Sequence, residues 1–142
     1  MARINFFDQD ISFKIPKPQK TRRWILDVIS REKKQLTEIN YILCSDEYLL
    51  SMNKEYLNHK TLTDIITFDN SEIPDAIEGD IFISIERVQA NAVELATEFD
   101  EELHRVLIHG VLHLIGYGDN TPSEKKVMRK KEDAYLSLRS KL

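Results

Sequence analysis

A single cysteine excludes an internal disulfide. Cys44 lies in the apolar stretch "INYILCS", which suits a buried strand position and a reducing compartment. No apolar run approaches the roughly 20 residues that a membrane-spanning helix needs. The opening "MARINFFDQDISF" lacks a basic segment followed by a long apolar core, so no secretory leader is expected. With only four glycines and four prolines, the chain carries no linker, repeat or low-complexity tract. An excess of positive charge is also missing. Asp and Glu number 24 against 20 Lys and Arg, a net charge of −4, which argues against broad nucleic-acid binding while leaving room for a local basic face. What remains, 42% apolar and 31% charged over 142 residues, is the composition of a globular, cytoplasmic protein with one domain spanning 1–142 and no membrane partner.

Periodicity predicts an order of elements. Strands are expected at Ile4–Asp8, Glu38–Ser45, Thr63–Asp69 and Gly79–Ile85, where β-branched and aromatic residues concentrate. Helical spacing of Trp24, Ile25, Val28 and Ile29 predicts a helix around Gln19–Lys34, after the break at "IPKP". Ser45 or Asp46 can cap a helix running to about Asn58. Ser84 can cap another through about Ala96, with Ile85, Val88, Ala92 and Leu95 facing inward. "EFDEELHRVLIHGVLHLIG" is a long helix stopped by Gly116, and a last helix runs from Pro122 to near Lys141. The polar segment "NSEIPDAIE" is a loop. The order β-α-β-α-β-β-α-α-α describes an α+β (α/β-like) fold with a small mixed sheet.

The chemistry gathers at "HGVLHLIGYGDN". Positions i and i+4 share a helix face, so His109 and His113 can direct nitrogens at one cation. The helix stops at Gly116, and the chain can return to bring Asp119 beside them. The pattern H-x3-H-x5-D leaves an open coordination position, as catalytic zinc sites require, and two imidazoles with a carboxylate also suit other divalent transition metals. Two histidines amid Val106, Leu107, Leu112 and Leu114 are costly to bury without a partner. His104 has no partner at that spacing and is expected on the polar face. In the extended zinc-protease motif a glutamate after the first histidine is the general base. Gly110 stands there in this chain and cannot take a proton, which disfavours peptide hydrolysis. A phosphodiester, whose reaction is served by a Lewis acid, fits better. Asp64, at the head of its strand, suits a partner or base near the metal, and equally a turn into the strand. Asp80, after Gly79, suits a turn.

Beyond the metal motif, "HGVLHLIGY" resembles the H-G-x-L-H-L-x-G-Y-D-H signature of the YbeY-type rRNA maturation endoribonucleases. "MNKEYLNHKTLTDIITFD", "EGDIFISIE" and "EKKVMRKKEDAYL" are similar, in the same order, to further segments of that family, the last at Glu124, Met128 and Glu132. The resemblance implies a mixed four-stranded sheet with about five helices. It implies a zinc-dependent, single-strand-specific endoribonuclease of ribosomal RNA processing, acting at the 3′ end of 16S rRNA and in ribosome quality control. RNA and the small ribosomal subunit are the implied partners, with ribosome-associated proteins beside them. Carried over by position, the metal ligands are His109, His113 and residue 119.

Three positions differ from that pattern. The family's third histidine falls on Asp119, a carboxylate that still ligates zinc but makes the site less positive. The preceding aspartate falls on Gly118. A family arginine of the cleft falls on Leu57; His59 and Lys60, which follow, can supply a replacement cation and equally suit a solvated loop. Asp64, His59 and Lys60 are thus the catalytic candidates. The basic stretches Lys14–Arg23 and Lys125–Lys131 suit solvated helix faces, or a surface that meets RNA phosphates. Competing readings are a metallopeptidase or small-molecule hydrolase, and a non-catalytic ribosome-assembly factor with a structural metal.

Overall fold

The computed structural model describes residues 2–57 and 63–142, with backbone alone at 56 and 57. Its elements are β1 (Arg3–Asp8), α1 (Pro18–Arg31), β2 (Gln35–Cys44), α2 (Asp46–Leu57), β3 (Ile65–Asp69), β4 (Ala76–Ser84), α3 (Ile85–Glu94), α4 (Phe99–Ile115) and α5 (Pro122–Ser140). The expected order holds throughout. The sheet runs β1-β2-β4-β3, with β1, β2 and β4 parallel and β3 antiparallel to β4. A mixed four-stranded sheet with five helices, an α+β fold, is what the sequence pattern anticipates. β3 is an edge strand.

Side chains alternate across the sheet. Ile39, Tyr41, Leu43, Ile81 and Ile83 form one fully buried face. They pack with Trp24, Ile25 and Val28 of α1 and with Leu103, Leu107 and Val111 of α4. Two hydrogen bonds fix this layer, since a buried donor left unpaired is costly. Tyr41 Oη donates to Leu107 O at 2.9 Å, and Trp24 Nε1 donates to Tyr135 O at 2.8 Å. The opposite face carries a smaller cluster of Cys44, Leu49, Met52 and Ile66 at α2. Cys44 is fully buried, as its apolar neighbours suggest.

Three expectations are corrected. β4 begins at Ala76, so Asp80 lies inside a strand and not at a turn. Gly79 is there for close approach: a Cβ would stand 2.6 Å from Phe68 O and 2.9 Å from Leu114 Cδ2, so the bare backbone lets α4 settle on the sheet. Asp80 instead accepts from Asn40 Nδ2 at 3.1 Å and Asn70 Nδ2 at 3.3 Å. Leu95 follows the end of α3 and is 58% exposed, because the helix stops before the stripe reaches it. His104 is buried and not on a polar face: its ring packs against Trp24 at 5.9 Å, and its Nδ1 lies 2.6 Å from Asp100 O. Burial lowers its pKa and keeps it neutral.

Candidate metal centre and cleft

Helix α4 projects Glu102, Val106, His109 and His113 along one stripe, at the spacing of successive turns. Gly116, with φ 124°, ends the helix in a conformation that L side chains rarely adopt. The amides of Gly116 and Tyr117 bond back to Leu112 O at 3.1 and 3.0 Å, and the chain reverses. The returning loop is fastened by the capping box of α5. Thr121 Oγ1 accepts from Glu124 N, and Glu124 Oε1 accepts from the amides of Asn120 and Thr121, all at 3.1 Å. Glu124 also accounts for Gly118: a Cβ there would stand 2.1 Å from Glu124 Oε2. Tyr117 ties the same loop to α1 by donating to Glu32 Oε1 at 2.5 Å.

This path brings Asp119 to the histidines. One donor atom from each of His109, His113 and Asp119 lies within 4.8 Å of the others. His109 Nε2 and Asp119 Oδ2 are 3.7 Å apart, close to the about 3.4 Å between ligand atoms that share a tetrahedral zinc-type ion. The histidine rings stand 4.6 Å apart at 76°. All three side chains are half-buried, which leaves one side of the cluster accessible. Donor type and spacing therefore fit a metal ion.

Glu132 is the residue that spacing arguments miss. Its Oε2 lies 2.7 Å from His109 Nδ1. That contact assigns the proton to Nδ1 and leaves Nε2 as the free donor atom facing Asp119. Its other oxygen accepts from Arg105 Nη1 at 2.9 Å, while Arg105 Nη2 donates to Asp133 at 2.7 Å. Burial opposes ionisation of Glu132, but His109 and Arg105 outweigh it and hold its pKa below the usual value. Burial likewise opposes a charged His109, and the Glu132 carboxylate overcomes this, raising its pKa. His113 goes the other way, lowered by burial and by its neighbour His109.

These groups line an open cleft of about 620 Å³ between α4, α5 and the start of β3. Asp64, Glu102, Arg105, Lys125 and Arg129 face the same space. Burial raises the pKa of Asp64 and of Glu102. Asp64 lines the cleft, whereas no residue of Lys14–Arg23 does. His59 and Lys60 lie outside the described residues, as does the side chain of Leu57. Glu102 and Arg105 were legible as members of the histidine stripe. Glu132, 23 residues from His109, becomes visible only once α5 packs on α4.

Gly110 faces the sheet. A Cβ there would stand 2.9 Å from Ile81 Cγ2 and 3.0 Å from Ile65 Cδ1. The glutamate of the zinc-protease motif has no room at this position.

An α+β fold whose central helix presents a His-His-Asp cluster able to hold a metal ion, beside a charged open cleft, has the donor set of a metal-binding hydrolase. The chain belongs to the Endoribonuclease YbeY family, whose model matches residues 3–139. It is 54% identical to the Endoribonuclease YbeY of Cytophaga hutchinsonii over 96% of this chain and 95% of that protein. It is 50% identical to the Endoribonuclease YbeY of Amoebophilus asiaticus over 95% of this chain and 92% of the relative. The fold is similar to the solution structure of a Thermotoga maritima protein, with a TM-score of 0.67 at 24% identity, covering 96% of this chain and 88% of the other. Among the described residues no helix is long and apolar enough to cross a membrane.

Proposed function

We propose that this chain is a metal-dependent, single-strand-specific endoribonuclease of ribosomal RNA processing, acting in maturation of the 16S rRNA 3′ end and in ribosome quality control. Family membership supports the reaction class and RNA as substrate. One observation carries the site: the donor atoms of His109, His113 and Asp119 gather within 4.8 Å at the wall of an open cleft. These residues would hold one zinc ion, or another divalent transition metal. When bound, such an ion supplies Lewis acidity for phosphodiester hydrolysis.

The chain's own groups have distinct tasks. Glu132 keeps a proton on His109 Nδ1, so that Nε2 turns to the cluster. Asp64, which lines the β3 side of the same cleft, serves as the proton acceptor in this reading, and burial raises its carboxyl pKa. Gly110, packed against Ile81, supplies no glutamate base to the site, so a metallopeptidase would need its base from elsewhere in the chain. A one-domain, cytoplasmic protein working with the small ribosomal subunit and its associated proteins completes this reading.

The test compares cleavage of single- and double-stranded RNA of one sequence by the metal-loaded native chain and by His113→Ala. Cleavage confined to the single strand and lost in the variant supports the reading. Equal cleavage of both substrates overturns the single-strand preference.

A further inference from the structure

Among the described residues, charge in the cleft is distributed unevenly, and the asymmetry specifies how a nucleic-acid strand would sit. The β3 side and the first turns of α4 contribute two carboxylates, the half-buried Asp64 and the buried Glu102. Arg105, deeper in the cleft, is already committed to two acids, Glu132 at 2.9 Å and Asp133 at 2.7 Å. On the α5 wall stand Lys125 and Arg129, separated by four residues and hence one helical turn apart on one face. The Arg129 side chain is 60% exposed, and among the described residues its one ion pair is a 3.9 Å approach to Glu132. Among the described residues Lys125 has no ion-pair partner at all. The remaining cations of α5 are placed otherwise. Lys131 is held by Glu32 at 3.0 Å, Arg139 lies 3.9 Å from Asp100, and Lys126 and Lys130 are exposed outside the cleft.

We propose that Lys125 and Arg129 form a phosphate-binding wall, which seats the RNA backbone along α5 and turns its bases toward the β3 side. The proposal rests on the endoribonuclease reading and adds the orientation of the strand. Two available cations, one turn apart, meet backbone phosphates without reading sequence. The carboxylates opposite repel phosphate and leave their side of the cleft to ribose and base groups. The acidic net charge of the chain then ceases to be an objection, because attraction is confined to one wall of one cleft.

The experiment measures salt dependence of binding to a fluorescent, all-2′-deoxy decathymidylate, and steady-state cleavage of the matching oligouridylate, with metal-loaded protein. Lys125→Ala/Arg129→Ala is compared with Lys126→Ala/Lys130→Ala, which makes the same charge change on the same helix away from the cleft. Lys125→Arg/Arg129→Lys tests rescue. A slope of about −0.7 per phosphate contact predicts that the cleft double variant flattens log Kd against log salt by about 1.4. KM should rise about tenfold with kcat within about twofold, the surface double variant should match the native chain, and the swapped pair should restore binding. An unchanged slope and KM in the cleft variant, or an equal loss in the surface variant, would overturn the wall. A native chain that binds but never cleaves RNA refutes the catalytic reading instead, and the binding slopes still decide the wall.

Discussion

Glu132 Oε2 sits 2.7 Å from His109 Nδ1, across the packed interface of α4 and α5. Because Arg105 grips the other oxygen of the same carboxylate at 2.9 Å, the imidazole is held in one tautomer and one orientation. Such partners typically contribute 10–100-fold to metal affinity. Glu132→Ala should therefore weaken zinc binding by about that factor in a competitive chelator titration. Glu132→Gln, which keeps an acceptor for Nδ1–H, should lose less. Native affinity in Glu132→Ala would refute the orienting role.

The half-buried Glu32 and the buried Glu102 should give opposite pH signatures. Burial disfavours the charged form of Glu32, but Tyr117, Tyr135 and Lys131 donate to it and together lower its pKa below the ordinary 4.5. Its stabilisation is present above that ordinary value and is lost as pH falls through the lower folded value. Burial, with the nearby Asp64 charge, raises Glu102 above 4.5. The folded chain then binds the Glu102 proton more tightly, and stability declines as pH rises from 4.5 through the folded value. Glu32→Gln should cost stability at neutral pH and little in acid, while Glu102→Gln should raise Tm at neutral pH and not in acid. Thermal melts across pH check both; shifts that ignore pH would contradict the assignment.

Gly110→Ala probes the contact of α4 with the sheet. Alanine gains about 1 kcal/mol of helix propensity. Its Cβ would meet Ile81 Cγ2 at 2.9 Å, on a side chain that is itself fully buried. Overpacking of this kind costs about 1–3 kcal/mol, so denaturant unfolding should show a net loss of about 1 kcal/mol. A stabilised variant would mean that the helix can lift away from the strand.

Asp64→Asn separates proton transfer from metal binding. The substitution keeps shape and removes the acceptor, so kcat should fall about 10²–10⁴-fold with metal content unchanged. Full kcat would clear Asp64 of that role. A fall in metal content would make its effect indirect.

Asp119 and Glu132 show where sequence legibility begins and ends. The histidine pair, the stop at Gly116 and the returning acid are close in sequence, so helical spacing and a turn suggest their meeting, and the α5 capping box then fastens it. The alternation of Ile81, Ile83, Tyr41 and Leu43 likewise announces a sheet buried on one face. Glu132 is different in kind: its role depends on how α5 lies against α4, a tertiary fact with no local period. His104 was misjudged for the same reason, since its environment is made by Trp24 of α1, 5.9 Å away. Gly79 reads as a turn residue in isolation and is a packing residue in the fold, where Leu114 would lie 2.9 Å from an added Cβ.

The most direct test of the account measures bound metal and single-stranded RNA cleavage together, for the native chain, His113→Ala and Asp119→Ala, before and after chelation. The account predicts one equivalent of metal in the native chain, cleavage that disappears on chelation and returns with added zinc, and loss of both properties in the two variants. Stoichiometric metal with no metal-dependent cleavage, or undiminished metal in Asp119→Ala, would contradict it.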